Sequence, residues 1–188
     1  MNTLFAAAAD LGAFCRALGW RFCIIGGLAV QRWGDPRQTR DVDVTILTGL
    51  GGEERFIDAL LQEYRGRIPD ARIFAINHRV VLAEAPDGTP LDISLGGLPY
   101  EERVIARSSA FQIAPGIHLT TCSAEDLVVL KAFADRPQDW LDIEGILVRQ
   151  ANGIDRRLVT EELTGLLLLK EDPEPGIRLA RLFARHGP

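Results

Sequence analysis

Long apolar runs are missing from this chain: stretches such as Leu4 to Ala9 and Leu166 to Leu169 are far too short to span a bilayer. No basic residue precedes Leu4 to Ala9 and Asp10 interrupts it, so it does not read as a signal peptide. The expected location is the cytoplasm. Cysteine and histidine are scarce, 3 of each, and Cys15, Cys23, Cys122, His78, His118 and His186 form no CxxC or HxxxH pair. That argues against a zinc site or a disulfide framework and leaves the cysteines as small core residues. Lysine is nearly absent, since 19 of the 21 basic residues are arginine and only Lys131 and Lys170 remain. Positive charge is not in surplus either. A net charge of −5 argues against broad nucleic-acid binding through phosphate neutralisation, although it leaves room for a local basic patch. No extended basic groove is evident, which speaks against a long duplex substrate. Internal repeats and low-complexity linkers are also absent.

What is present is the balance of a soluble globular protein. Of 188 residues, 47% are hydrophobic and 25% charged, enough to bury a core in one ordinary domain with a small helical appendage. Disorder, collagen and coiled coil are excluded. Leu4, Ala8, Leu11, Phe14 and Leu18 recur at helical spacing between Thr3 and Gly19. Arg21 to Ile25 reads as a buried strand entering a turn at Gly26-Gly27, and Leu28 to Trp33 as a short helix. Asp41 to Leu47 is rich in β-branched residues and reads as a strand, Glu53 to Tyr64 as an amphipathic helix. Three further strands are predicted at Ala71 to Ile76, Arg79 to Glu84 and Pro90 to Leu95, the last two joined by the hairpin signal Asp87-Gly88. Phe111 to Leu119 adds a short pair around Pro115-Gly116.

From Ser123 the pattern turns helical: Leu127 to Ala134, Pro137 to about Arg149, Arg156 to Lys170 and Gly176 to Arg185. The expected fold is therefore α/β (α+β), a mixed and partly antiparallel sheet flanked by helices in residues 1–122, with a helical segment in 123–188. The apolar face Leu158, Leu163, Leu166 and Leu167 fits packing on the core or on a second subunit.

Chemistry concentrates between Ile24 and Val44. Glycines at 26 and 27 let a backbone approach a ligand closely, and amides at the following helix start favour an anion such as a triphosphate. Asp41 and Asp43, two apart on a predicted strand, present their carboxylates on one face. Two such carboxylates repel unless a cation lies between them, and oxygen-only ligands suit Mg²⁺. Asp92 lies mid-strand among apolar neighbours and needs a partner or a metal.

The Gly-Gly turn, the Asp-Val-Asp fourteen positions later and the separate strand aspartate resemble the nucleotidyltransferase superfamily of the DNA polymerase β type. Gly26-Gly-Leu-Ala29, Gly34-Asp-Pro-Arg37, Thr39-Arg-Asp-Val-Asp43 and the later Ala124-Glu-Asp-Leu127, Lys131 and Asp135-Arg-Pro-Gln-Asp-Trp-Leu-Asp142 are most similar to small prokaryotic proteins related to AbiEii-type toxins. The resemblance covers Phe22 to Leu147. It implies that Asp41, Asp43 and Asp92 hold two Mg²⁺ ions, with Asp92 able to act as general base. It implies also that Gly26 and Gly27 cradle the phosphates of an NTP such as ATP, that Arg37 and Lys131 neutralise them, and that Thr39 orients the loop. Asp139 would complete the helical half of the site. The implied reaction moves a nucleoside monophosphate from an NTP to a hydroxyl and releases pyrophosphate. The acceptor is a tRNA end or a protein in toxin relatives, which would also bring an antitoxin-like partner, and a small antibiotic in other branches. One departure matters: many members carry Gly-Ser at the turn, whereas Gly27 supplies no hydroxyl.

Plainer readings compete at several positions. Arg37 also suits a pair with Asp35 or Asp41, and Lys131, four residues before Asp135, suits a surface ion pair. Asp139 and Asp142 sit where a helix start favours acids without any function. Trp33 and Trp140 read as packing residues. Besides the tRNA- or protein-directed enzyme, an aminoglycoside-type nucleotidyltransferase and an inactive NTP-binding module remain open.

Overall fold

The structure is a computed structural model and describes residues 3–186. Its backbone divides into two compact units. The first runs to Leu28 and resumes over Gln38–Cys122; the second comprises Ala29–Arg37 and the chain from Ser123 onward.

The first unit is built on a seven-stranded sheet. Its strands are β1 (Phe22–Ile24), β2 (Val42–Leu47), β3 (Arg65–Gly66), β4 (Val80–Glu84), β5 (Pro90–Gly96), β6 (Ser109–Ala114) and β7 (Ile117–Thr121), in the order β3-β4-β5-β2-β1-β7-β6. Pairing is antiparallel except for β2 with β5 and β1 with β7, which are parallel. Alternation decides the two faces. Val42, Val44 and Ile46 of β2 and Leu91, Ile93 and Leu95 of β5 are buried together with Leu4, Leu11 and Cys15 of α1 (Thr3–Ala17) and Phe56, Ile57 and Leu60 of α3 (Glu54–Glu63). The intervening residues, including Asp43 and Asp92, therefore rise from the opposite face. Helix α1 stops where glycine permits a left-handed turn. Gly19 has φ +67°, its amide donates to Arg16 O at 3.0 Å, and Trp20 N donates to Cys15 O at 2.9 Å, closing a Schellman motif.

Two segments depart from the sequence reading. Residues Ala71–His78 form a helix, α4, and not the predicted strand. Phe74 N donates to Asp70 O at 3.0 Å and Arg79 N to Ala75 O at 2.9 Å, so the backbone bonds close locally. Of this apolar run only Ala75 is buried. A short apolar run carries too little periodicity to separate helix from strand, and here the place beside β4 is taken by β3. Helix α5 (Pro99–Arg107) was not anticipated, although Pro99 stands at its first turn and Glu101 accepts from Gly97 N at 2.7 Å and Leu98 N at 2.8 Å. A smaller shift concerns the glycine turn: helix α2 (Gly26–Trp33) begins at Gly26 itself.

The second unit is helical, with α6 (Ala124–Ala134), α7 (Pro137–Gln150), α8 (Arg156–Lys170) and α9 (Glu174–Arg185). Ser123 Oγ accepts from Asp126 N at 3.0 Å and Asp155 Oδ1 from Leu158 N at 2.9 Å, capping α6 and α8. Leu163, Leu166 and Leu167 are buried and α8 packs on α6, so this apolar face is used within the chain. No helix among the described residues is long and apolar enough to cross a membrane.

Cys15, Cys23 and Cys122 are fully buried and none is in a disulfide. Burial also pushes the Cys15 thiol up to about 12, against a smaller opposing pull from Arg16. Native protein should accordingly leave all three thiols unlabelled by a thiol-reactive chromophore at pH 8, and urea should expose them together. Labelling of Cys15 under native conditions would contradict this packing.

Candidate active site

Strands β2 and β5 run parallel in a register that sets Asp43 directly beside Asp92. Asp41 stands just before β2, two residues from Asp43 and on the same side. Each of Asp41, Asp43 and Asp92 offers a carboxylate oxygen, the three lie within 4.8 Å of one another, and all three residues are half-buried. Oxygens on opposite sides of a Mg²⁺ ion stand ~4.2 Å apart, so the spacing and the all-oxygen donor set fit a hard divalent cation.

The glycine turn is fitted to these acids atom by atom. Gly26 has φ +59°, and a Cβ there would lie 1.9 Å from Asp43 Oδ2. Only glycine fits, on both conformational and steric grounds. A Cβ at Gly27 would lie 2.3 Å from Thr39 Oγ1. The space a serine side chain would claim at position 27 is thus filled by the Thr39 hydroxyl, which donates to Asp41 Oδ1 at 2.9 Å. Gly26, Gly27, Thr39, Asp41, Asp43 and Asp92 therefore converge in the first unit. One residue there escaped the sequence reading: Arg67, whose Nη2 donates to Asp92 Oδ1. Nothing local in the sequence marks it, because the contact spans 25 residues.

Arg37, Lys131 and Asp139 come together in the second unit, around Asp142. Arg37 grips Asp142 with two bonds, Nε to Oδ1 at 2.7 Å and Nη2 to Oδ2 at 2.9 Å, the planar geometry that guanidinium and carboxylate share. Lys131, only 5% exposed, donates to Asp139 Oδ1 at 3.0 Å and Asp142 Oδ2 at 2.6 Å. Arg136 Nε donates to Asp139 Oδ2 at 2.7 Å and Gln138 Nε2 to Asp142 Oδ1 at 3.2 Å. Lys131 thus reaches Asp139 and Asp142, and Arg37 reaches Asp142, a partner that the plainer sequence readings did not consider for either. Burial alone would raise both acids. For Asp139 the bonds from Arg136 and Lys131, and for Asp142 those from Arg37 and Lys131, outweigh it and hold the carboxyls below the usual range. Trp140 is buried and its Nε1 donates to Asp135 Oδ1 at 2.6 Å, a packing role.

The fold is shared with nucleotidyltransferases of known structure. A nucleotidyltransferase-like antigenic protein of Paracoccidioides brasiliensis superposes with TM-score 0.55 at 18% identity over 93% of this chain and 92% of that one. A lincosamide antibiotic adenylyltransferase, LnuA, solved with lincomycin bound, superposes with TM-score 0.50 at 13% identity over 73% and 92%. Among curated proteins none matches the chain. The family described as "Nucleotidyl transferase AbiEii toxin, Type IV TA system" matches residues 13–183, and the chain belongs to it. It is a nucleotidyltransferase.

Lys131→Met would leave Asp139 and Asp142 buried beside one fewer cation, and a broken buried pair costs about 3–5 kcal/mol. Urea unfolding should show a loss of that size. Because both carboxyls titrate below their unfolded values, the stability they contribute is present above the unfolded carboxylate range and is lost as pH falls through the folded values. The gap between wild type and Asp142→Asn should therefore shrink on acidification below about pH 4.

Proposed function

We propose that the chain transfers a nucleoside monophosphate from an NTP to a hydroxyl acceptor in a Mg²⁺-dependent reaction centred on Asp41, Asp43 and Asp92. The observation that supports this most is the fit between Gly26 and Asp43, where the turn backbone and a carboxylate meet with no room for a side chain. A triphosphate brought to that backbone lies beside the acids. Divalent cations bound there, two in this reading, would neutralise phosphate charge and lower the proton affinity of the attacking hydroxyl.

The chain's own groups do the rest. Asp41, Asp43 and Asp92 would offer carboxylate oxygens to the cations, with Asp41 braced by Thr39. In this reading Asp92, in register with Asp43, accepts the hydroxyl proton. In this reading the amides of Gly26 and Gly27, at the start of α2, bind the phosphates. The Thr39 hydroxyl fills the space beside Gly27, with its proton given to Asp41. Arg37, Lys131 and Asp139 are already bonded within their own cluster, and in this reading they act by tying α7 to α6 and to the Ala29–Arg37 segment.

For the acceptor, the reading favours a tRNA end or a protein hydroxyl, with the chain acting as a toxin held in check by an antitoxin-like partner, in keeping with the family description. A small cationic antibiotic is the second reading, supported by the net charge of −5 and the acidic cluster. Both readings are tested together by following label from each α-labelled NTP in the presence of Mg²⁺, with total tRNA, cell-extract protein or an aminoglycoside as acceptor.

Label should enter tRNA or protein. Asp43→Asn should lower the rate by at least about 100-fold, the scale of removing one preorganised electrostatic group. Gly26→Ala, which drives a methyl into Asp43, should be as damaging while the sheet still folds. Label on the aminoglycoside alone would favour the second reading. Transfer that persists in Asp43→Asn would defeat both.

A further inference from the structure

Arg67 has no part in the chemistry above, yet its guanidinium sits on the acidic cluster. β3 ends at Gly66 and the chain bends at Arg67, whose N still donates to Leu82 O at 2.9 Å, one step beyond the pairs Arg65↔Glu84 and Gly66↔Ala83. Leu82 in turn pairs with Asp92, and Asp92 with Asp43. Arg67, Leu82, Asp92 and Asp43 thus form one row across the sheet, and side chains of such a row rise from the same face. The Arg67 arm passes Leu82 and ends on Asp92 Oδ1. Neither partner is a loose surface group, the side chains being 28% and 34% exposed.

We propose that Arg67 is the resident counter-cation of the carboxylate triad: it positions Asp92 beside Asp43 and competes with a divalent cation for it. The proposal rests on reading Asp41, Asp43 and Asp92 as a cation site. Three carboxylates within 4.8 Å of one another repel. A guanidinium on one of them removes part of that repulsion. The same charge opposes a divalent cation drawn to the three oxygens, and the backbone bond from Arg67 N to Leu82 O keeps it close. Arg67 therefore trades cation affinity for a site that keeps its shape when empty. It acts through Asp92 and is a positioning residue.

The test measures Mn²⁺ binding by electron paramagnetic resonance on the full chain, as wild type, Arg67→Ala, Arg67→Gln and Arg67→Lys, each also melted in EDTA and in Mn²⁺. Removing one charge a few ångströms from a partly solvated site should tighten Mn²⁺ binding about tenfold in Arg67→Ala and Arg67→Gln, with Arg67→Lys near wild type. Both charge-removing variants should melt below wild type in EDTA, and Mn²⁺ should close that gap. Unchanged or weaker Mn²⁺ binding in these variants overturns the proposal, as does a melting deficit that Mn²⁺ leaves in place, which marks a purely structural arginine. Arg67→Gln keeps the arm and a hydrogen-bond donor, so the test survives if Arg67→Ala does not fold. Asp43→Asn separates the two ideas. If it binds Mn²⁺ as wild type does, or if neither wild type nor Arg67→Gln binds it, the cation site itself falls and the role of Arg67 with it.

Discussion

The parallel pairing of β2 with β5 is the constraint on which the site depends. It places Asp43 opposite Asp92, so two acids that lie 49 positions apart in the chain share one row of the sheet. Such an arrangement is unfavourable by itself, because neighbouring carboxylates raise each other's energy. It persists because Val42, Val44, Ile46, Leu91, Ile93 and Leu95 bury the other face and lock the register. A slip of one residue would send that whole apolar set to the wrong side. The core therefore fixes where the acids stand by refusing every alternative register.

The chain handles acidic side chains in two opposite ways. In the second unit Asp139 and Asp142 are buried and saturated: Lys131 serves both, Arg37 and Gln138 bind one, Arg136 the other. Buried charge requires that degree of pairing, and the result is a cluster that ties the helices together. In the first unit Asp41, Asp43 and Asp92 are half-buried, with bonds from Thr39 to Asp41 and from Arg67 to Asp92. An acid cluster left partly open is suited to receive a cation, whereas a closed one is suited to hold helices together.

Much of this was legible in the residues. Helical spacing in Leu4 to Leu18, the β-branched run at Val42 to Leu47, the Asp87-Gly88 hairpin and the Ser123 cap each predict an element that the structure contains. The convergence of Gly26-Gly27 with Asp41 and Asp43 was legible because a short strand–turn–helix–strand connection leaves few ways to fold. The Ala71–His78 helix was misread because exposed Ile73 and Ile76 imitate a strand composition without a sheet neighbour to serve. Arg67 was missed because its importance comes from a neighbour two strands away and not from its own surroundings in the chain.

Residue type and spacing alone pointed to the fold class and to Asp41, Asp43 and Asp92, since alternation and turn chemistry act over a few residues at a time, and motif resemblance pointed to the family. The tertiary structure decided which charges meet. Strand order carries Arg67 across Leu82 to Asp92, the meeting of Arg37 with α7 assigns it to Asp142, and Lys131 turns inward to Asp139 and Asp142, away from Asp135. Charge pairing acts through space, and only the packed sheet and helices bring positions so distant in sequence within bonding range.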